Sequence, residues 1–174
     1  MHKRTLLLSF AALLVRPVHA LYDPKPIALL ELATGTWQGS LTYRDYQKPD
    51  RMITLKTVMT ASLAAPDELA LYYIFDDGPA KTVYSYERMK FDLAANQLIW
   101  NSGTSQQNRS EYKITSATAE KEKNFLTFEK FDTTKTDRYF FEISKTKWSL
   151  AKYEIATGAM EILRSKYEFI KSEA

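Results

Sequence analysis

The chain has 174 residues, with 24 lysines and arginines against 21 acidic residues, two histidines and no cysteine. With no thiol present, disulfide staples, thiol catalysis and thiolate metal sites are excluded, and the fold must hold by packing alone. Lys3, Arg4 and Arg16 account for the whole formal net charge of +3, so the rest of the chain is neutral and gives no electrostatic argument for a nucleic-acid partner.

The first 20 residues place His2, Lys3 and Arg4 before the apolar run Thr5 to Val15 and end on Val18-His19-Ala20. That order of a basic start, an apolar middle and a small-x-small ending predicts a secretory signal peptide over residues 1–20, leaving one domain over 21–174. The expected location is periplasmic or secreted. No membrane span is expected, because the apolar run is shorter than the roughly 20 residues that a spanning helix needs. Both histidines fall within the segment to be removed. The remaining chain has neither His nor Cys, which argues against Ser-His-Asp chemistry, His-ligated haem and ordinary zinc or copper sites; no cofactor is expected.

After Tyr22-Asp23-Pro24-Lys25-Pro26, which combines an N-cap residue with helix-starting prolines, a short helix is predicted from about Pro26 to Ala33. Its Ile27, Leu30 and Leu32 supply an apolar face, and Gly35 is a suitable stop. From there alternating segments follow one another, at roughly 36–44, 52–61, 68–75, 81–91, 97–101, 107–115, 124–131, 137–144, 147–155 and 160–170. Turn chemistry separates them at Lys48-Pro49-Asp50, Ala65-Pro66-Asp67, Asp76-Asp77-Gly78-Pro79, Asn101-Ser102-Gly103 and Ala156-Thr157-Gly158. Connections this short favour antiparallel neighbours. The rows Leu69, Leu71, Tyr73, Phe75, then Tyr139, Phe141, Ile143, and then Leu163, Tyr167, Phe169 should point inward. A long meander with one apolar face and a single short helix to cover it is most economically closed on itself. The predicted fold is therefore all-β, an antiparallel up-and-down β-barrel of about 8–10 strands with a short N-terminal helix, with a two-sheet sandwich as the alternative.

Gly35-x-Trp37, which follows the helix and opens the first strand, resembles the signature of the lipocalin-like (calycin) barrels, here of an exported bacterial type. The resemblance implies that an arginine late in the last strand lies across the indole and closes one end, and Arg164 is the candidate. A strand count nearer ten than eight, with no disulfide, points equally to ten-stranded barrels of the fatty-acid-binding or nitrobindin-like kind.

Several residues are candidates for ligand contact inside such a barrel: Tyr43, Tyr73, Phe75, Glu87, Trp100 and Phe141. For the tryptophans Trp37, Trp100 and Trp148 a place in the core is the default. Tyr72, Tyr84 and Tyr86 either line a cavity mouth or face water. Glu87 is in phase with Val83, Met89 and Phe91, so it should be an inward carboxylate in need of a partner: an arginine, a ligand head group or a proton-transfer role. Asp76-Asp77-Gly78 lacks the further ligands of a calcium loop and reads as a hairpin turn. Asn108-Arg109-Ser110 matches a glycosylation acceptor, a pattern common by chance.

Three functions fit. The first is a non-enzymatic binding protein that holds a small hydrophobic or amphipathic molecule. The second is an enzyme of the phenolic-acid-decarboxylase-like kind acting through Tyr, Arg and Glu. The third is a structural or inhibitory module with a filled barrel, whose partner is another exported protein. Whether the interior is empty or filled separates the third from the other two.

Overall fold

The computed structural model describes residues 26–120 and 122–172, so the segment read as a signal peptide lies outside the described residues. One helix, α1 (Pro26–Ala33), precedes ten strands: β1 (Gly35–Arg44), β2 (Met52–Ala65), β3 (Glu68–Asp76), β4 (Thr82–Asp92), β5 (Gln97–Ser102), β6 (Arg109–Glu120), β7 (Lys123–Phe131), β8 (Lys135–Ser144), β9 (Lys147–Ala156) and β10 (Ile162–Lys171). Each strand pairs antiparallel with the next, and β10 returns to β1, so the sheet is a closed barrel with no sandwich split. Alternation and turn chemistry predict this layout closely. The largest boundary differences are the C-terminal extensions of β2 and β6, both of which carry a bulge, at Leu63/Ala65 and Ile114/Ser116. Extra residues accommodated by bulges let these strands run on without losing the inward phase of their partners.

The seam between β1 and β10 runs from Trp37 opposite Lys171 to Tyr43 opposite Ser165. Gly39 lies in its middle, where a Cβ would sit 1.9 Å from the Glu168 carbonyl oxygen and 2.8 Å from the Phe169 Cα. Only glycine allows the two backbones to come this close. Gly35 is needed for a different reason: its φ of 122° turns the chain out of α1 and into β1.

α1 lies against both β2 and β8, strands well separated around the ring, so it spans one end of the barrel. Leu29, Leu30 and Ala33 are buried there, and Leu32 packs on the core from its edge. The Trp37 indole N–H donates to the Ala33 carbonyl at 2.9 Å, which ties the last turn of the helix to the barrel floor. Above it, the interior of this half is solid. Trp148 packs against Phe141 (5.2 Å between ring centroids) and Phe169 (5.5 Å), and Leu69, Met89, Phe91, Leu98 and Ile143 complete the layer. The cation against Trp37 is Lys171, with its Nζ 5.2 Å from the ring, and not Arg164 as the resemblance implied. The reason is register. Lys171 is directly opposite Trp37, whereas Arg164 lies at the far end of the same strand.

A bulge between Leu163 and Ser165 corrects a second expectation. Beyond it Leu163 pairs with Tyr153, which packs on the outward Phe140, so Leu163 leaves the inward row that Tyr167 and Phe169 continue. The bulge residue itself, Arg164, turns into the barrel beside Ser165.

The seam provides the test of this account. Gly39→Ala should destabilise the protein by about 1–3 kcal/mol, because its new methyl meets immobile backbone instead of a yielding side chain. Urea unfolding followed by tryptophan fluorescence measures this. A loss under about 0.5 kcal/mol would show that β1 and β10 separate without cost.

Candidate functional site

The half of the barrel away from α1 is open. A cavity of about 750 Å³ enters from the end that carries Tyr43, Tyr46 and Asp77, and reaches Phe75, Glu87 and Tyr167 at its floor. Its apolar walls come from β1 to β4, where Leu41, Leu55, Phe75 and Val83 face inward by strict alternation. A smaller recess of about 170 Å³, bounded by Trp100, Tyr139 and Leu150, shares Lys152, Ser165 and Tyr167 with the main cavity. β5 stops at Ser102, so β4 pairs with it only from Glu87 onward and Thr82 to Ser85 stand above the neighbouring rim.

Glu87 is the polar centre of the floor. It is 8 % exposed, and its carboxylate accepts a hydrogen bond from the Trp100 indole N–H at 3.0 Å, so its partner is neutral and is not the arginine envisaged as the plainest reading. Burial pushes its pKa up to about 7, and the indole bond pulls the other way without overcoming it. Tyr73, Tyr139 and Tyr167 surround this group. Their hydroxyls are held well above the ordinary tyrosine range, by burial first; at Tyr73 and Tyr167 the Glu87 charge comes next, and at Tyr139 Tyr112 comes next, followed by Asp137 and then Glu87. Tyr73 stacks on Phe75 (5.6 Å) and meets Tyr167 (5.3 Å), and its hydroxyl is buried without a hydrogen-bond partner.

On the opposite wall, β8, β9 and β10 bring charge into the barrel. Lys135 and Asp137 are in phase with the inward Tyr139, and Lys152 and Glu154 are in phase with Trp148 and Leu150. They form one network: Lys152 contacts Asp137 at 2.9 Å and Glu154 at 3.6 Å, Lys135 contacts the same two carboxylates at 3.4 and 3.3 Å, and Arg164 approaches Glu154 at 3.9 Å. The Arg164 guanidinium lies 4.1 Å from the ring of Tyr46, whose loop is set by the Asp45 side chain accepting from the backbone N–H of Gln47 and Lys48. Lys152 stands over the Tyr139 ring at 5.7 Å.

Of the residues nominated from the sequence, Tyr43, Phe75 and Glu87 line the main cavity and Trp100 lines the recess. Tyr73 belongs to the layer beneath the floor. Phe141 is packed in the solid half against Trp148 and Phe91, where it has no access to the cavity. Tyr72 and Tyr84 face outward and lie against each other at 6.3 Å. Sequence reasoning missed Lys135, Asp137, Lys152 and Glu154. Their period-two phase with recognised inward rows was the available signal, but charged residues at strand ends are usually solvated. Arg164 was assigned to the wrong partner.

The raised Glu87 pKa has a measurable consequence. A carboxyl that ionises at about 7 when folded, against 4.5 ordinarily, keeps its proton more tightly in the native state, so its contribution to stability falls as pH rises from about 4.5 to 7. Replacing it removes that decline. The stability of Glu87→Gln relative to the parent should rise by about 3 kcal/mol between about pH 4 and pH 8, measured by urea unfolding at each pH. Parallel pH profiles for the two proteins would mean that the carboxyl ionises as it does in water.

No protein-family model matches the chain, and comparison with curated proteins likewise finds no match.

Proposed function

We propose that this protein is a non-enzymatic binding protein that takes a small amphipathic molecule into the open half of the barrel. One observation carries the reading: a cavity of about 750 Å³ in which an apolar wall of Leu41, Leu55, Phe75 and Val83 faces a wall of charged and polar side chains. That volume lies within the range of small-molecule sites, and an apolar wall set against a polar one suits an amphipathic molecule. A barrel serving only as a scaffold for its loops has no need of such a void, because side chains fill small barrels readily. Here they fill one half and leave the other. The signal-like leader adds an exported location to the proposal. Among the described residues no helix is long and apolar enough to cross a membrane.

A second reading is favoured by one specific feature. Glu87 is poised to exchange a proton near neutrality and faces the same cavity as Tyr167 and Arg164, an arrangement that suits an enzyme of the phenolic-acid-decarboxylase-like kind. Incubation with 4-hydroxycinnamate, followed by ultraviolet absorbance, separates the two: turnover that Glu87→Gln abolishes favours the enzyme, and its absence favours the binding protein.

The binding reading predicts that the neutral fluorophore N-phenyl-1-naphthylamine enters the cavity with a stoichiometry of one and a marked rise in emission. Leu55→Trp, which places an indole in the void, should weaken that binding by about tenfold or more while the circular dichroism spectrum stays that of the parent. No rise in emission, or an unchanged affinity in the variant, would count against a ligand inside the barrel.

A further inference from the structure

The charge balance of the cavity wall is uneven, and the excess is concentrated on one side chain. Lys135, Lys152 and Arg164 share two carboxylates, Asp137 and Glu154. The lysines hold the short contacts. Arg164 is left with Glu154 at 3.9 Å, beyond hydrogen-bonding distance, although its side chain is only 18 % exposed. Arg44, at the same mouth, donates to the carbonyls of Leu163 and Pro49 and has no carboxylate partner among the described residues. Asp77 does not redress the balance, because Lys81 is paired with it.

The Arg164 guanidinium carbon lies 4.1 Å from the centre of the Tyr46 ring, a cation–π contact that gives its N–H donors no hydrogen-bond acceptor. Among the described residues none of those donors is taken by a hydrogen-bond acceptor. A largely buried guanidinium that lines a cavity and has no acceptor on its N–H donors is suited to bind a planar two-oxygen anion in bidentate fashion. Ser165, the other inward residue of the bulge, offers a hydroxyl beside it, and Lys152 adds a point charge.

We infer that the cavity selects an amphipathic carboxylate, whose head group is bound by Arg164 with Lys152 and Ser165 and whose apolar body lies on Leu41, Leu55 and Phe75. The inference rests on the binding reading above and adds the sign and geometry of the ligand's charge. A neutral amphipath of the same length fills the same apolar wall but leaves the guanidinium unpaired. A cationic one meets three cations already sharing two carboxylates.

The test compares decanoate, decan-1-ol and decylamine as competitors of N-phenyl-1-naphthylamine on the full chain at about pH 6, where decanoate is largely ionised. Decanoate should bind at least about tenfold more tightly than decanol, and decylamine more weakly than either. Arg164→Gln should bring the decanoate-to-decanol ratio to within about threefold. Arg164→Lys, which keeps the charge and loses the planar fork, should fall between, and it serves as the test should the Gln variant fail to fold. Equal binding of decanoate and decanol by the parent overturns the inference and leaves the binding reading intact. A preference that survives both substitutions, or one for decylamine, also overturns it. Failure of all three compounds to compete, with the fluorophore still bound, overturns it as well, whereas failure of the fluorophore itself to bind removes the reading on which it stands.

Discussion

Closure of the β1–β10 seam is the constraint on which the rest of the molecule depends. Among the described residues, a ten-stranded meander with one apolar face has nothing else to cover that face, since α1 is eight residues long and reaches only the end of the barrel. Once β10 pairs with β1, no strand of the sheet is left as an edge, and each inward row meets other rows across the interior instead of water. The pairing depends on the close backbone approach at Gly39, so a residue with no side chain supports a core made largely of bulky ones.

Closure also creates the division that gives the protein its candidate site. At the helix end, Trp37, Trp148, Phe141 and Phe169 are large enough to meet at the barrel axis, and the interior is solid. Toward the mouth, the inward positions of β1 and β2 carry Leu41 and Leu55, and those of β8 and β9 carry charged residues that pair along their own wall. Those lysines are paired with Asp137 and Glu154 along the wall. A void remains, with an apolar wall facing a charged one. Glu87 is at the junction of the two halves, where burial is sufficient to raise its pKa and the single indole bond is insufficient to restore it.

The expectations that failed share a cause. The assignment of Arg164 to Trp37 relied on a family resemblance to supply a contact across the barrel, and register overruled it: the position opposite Trp37 belongs to Lys171. Gly35 and Trp37 retain a physical role without it, one turning the chain into β1 and the other sealing the floor against Ala33. Leu163 failed because strict alternation was carried through a bulge, and one inserted residue exchanges inside for outside on everything beyond it. Phe141 was rightly read as inward, yet an inward position belongs either to packed core or to cavity wall, and its phase is the same in both.

What the sequence by itself determined is local and periodic. It specified the helix at 26–33, ten strands within a few residues of their ends, the hairpin turns, the all-antiparallel order, and the inward direction of Tyr73, Phe75, Glu87 and Phe141. These follow from turn residues and a period of two, both written within a few positions of the residues they govern. Tertiary structure decided which inward residues surround a void, which cation faces Trp37, that Tyr46 from the β1–β2 loop lies over Arg164, and that five charged groups from three strands form one network. Each of these depends on the stagger between strands and on what stands across the barrel, relations between residues as far apart as 46 and 164 that no local pattern encodes.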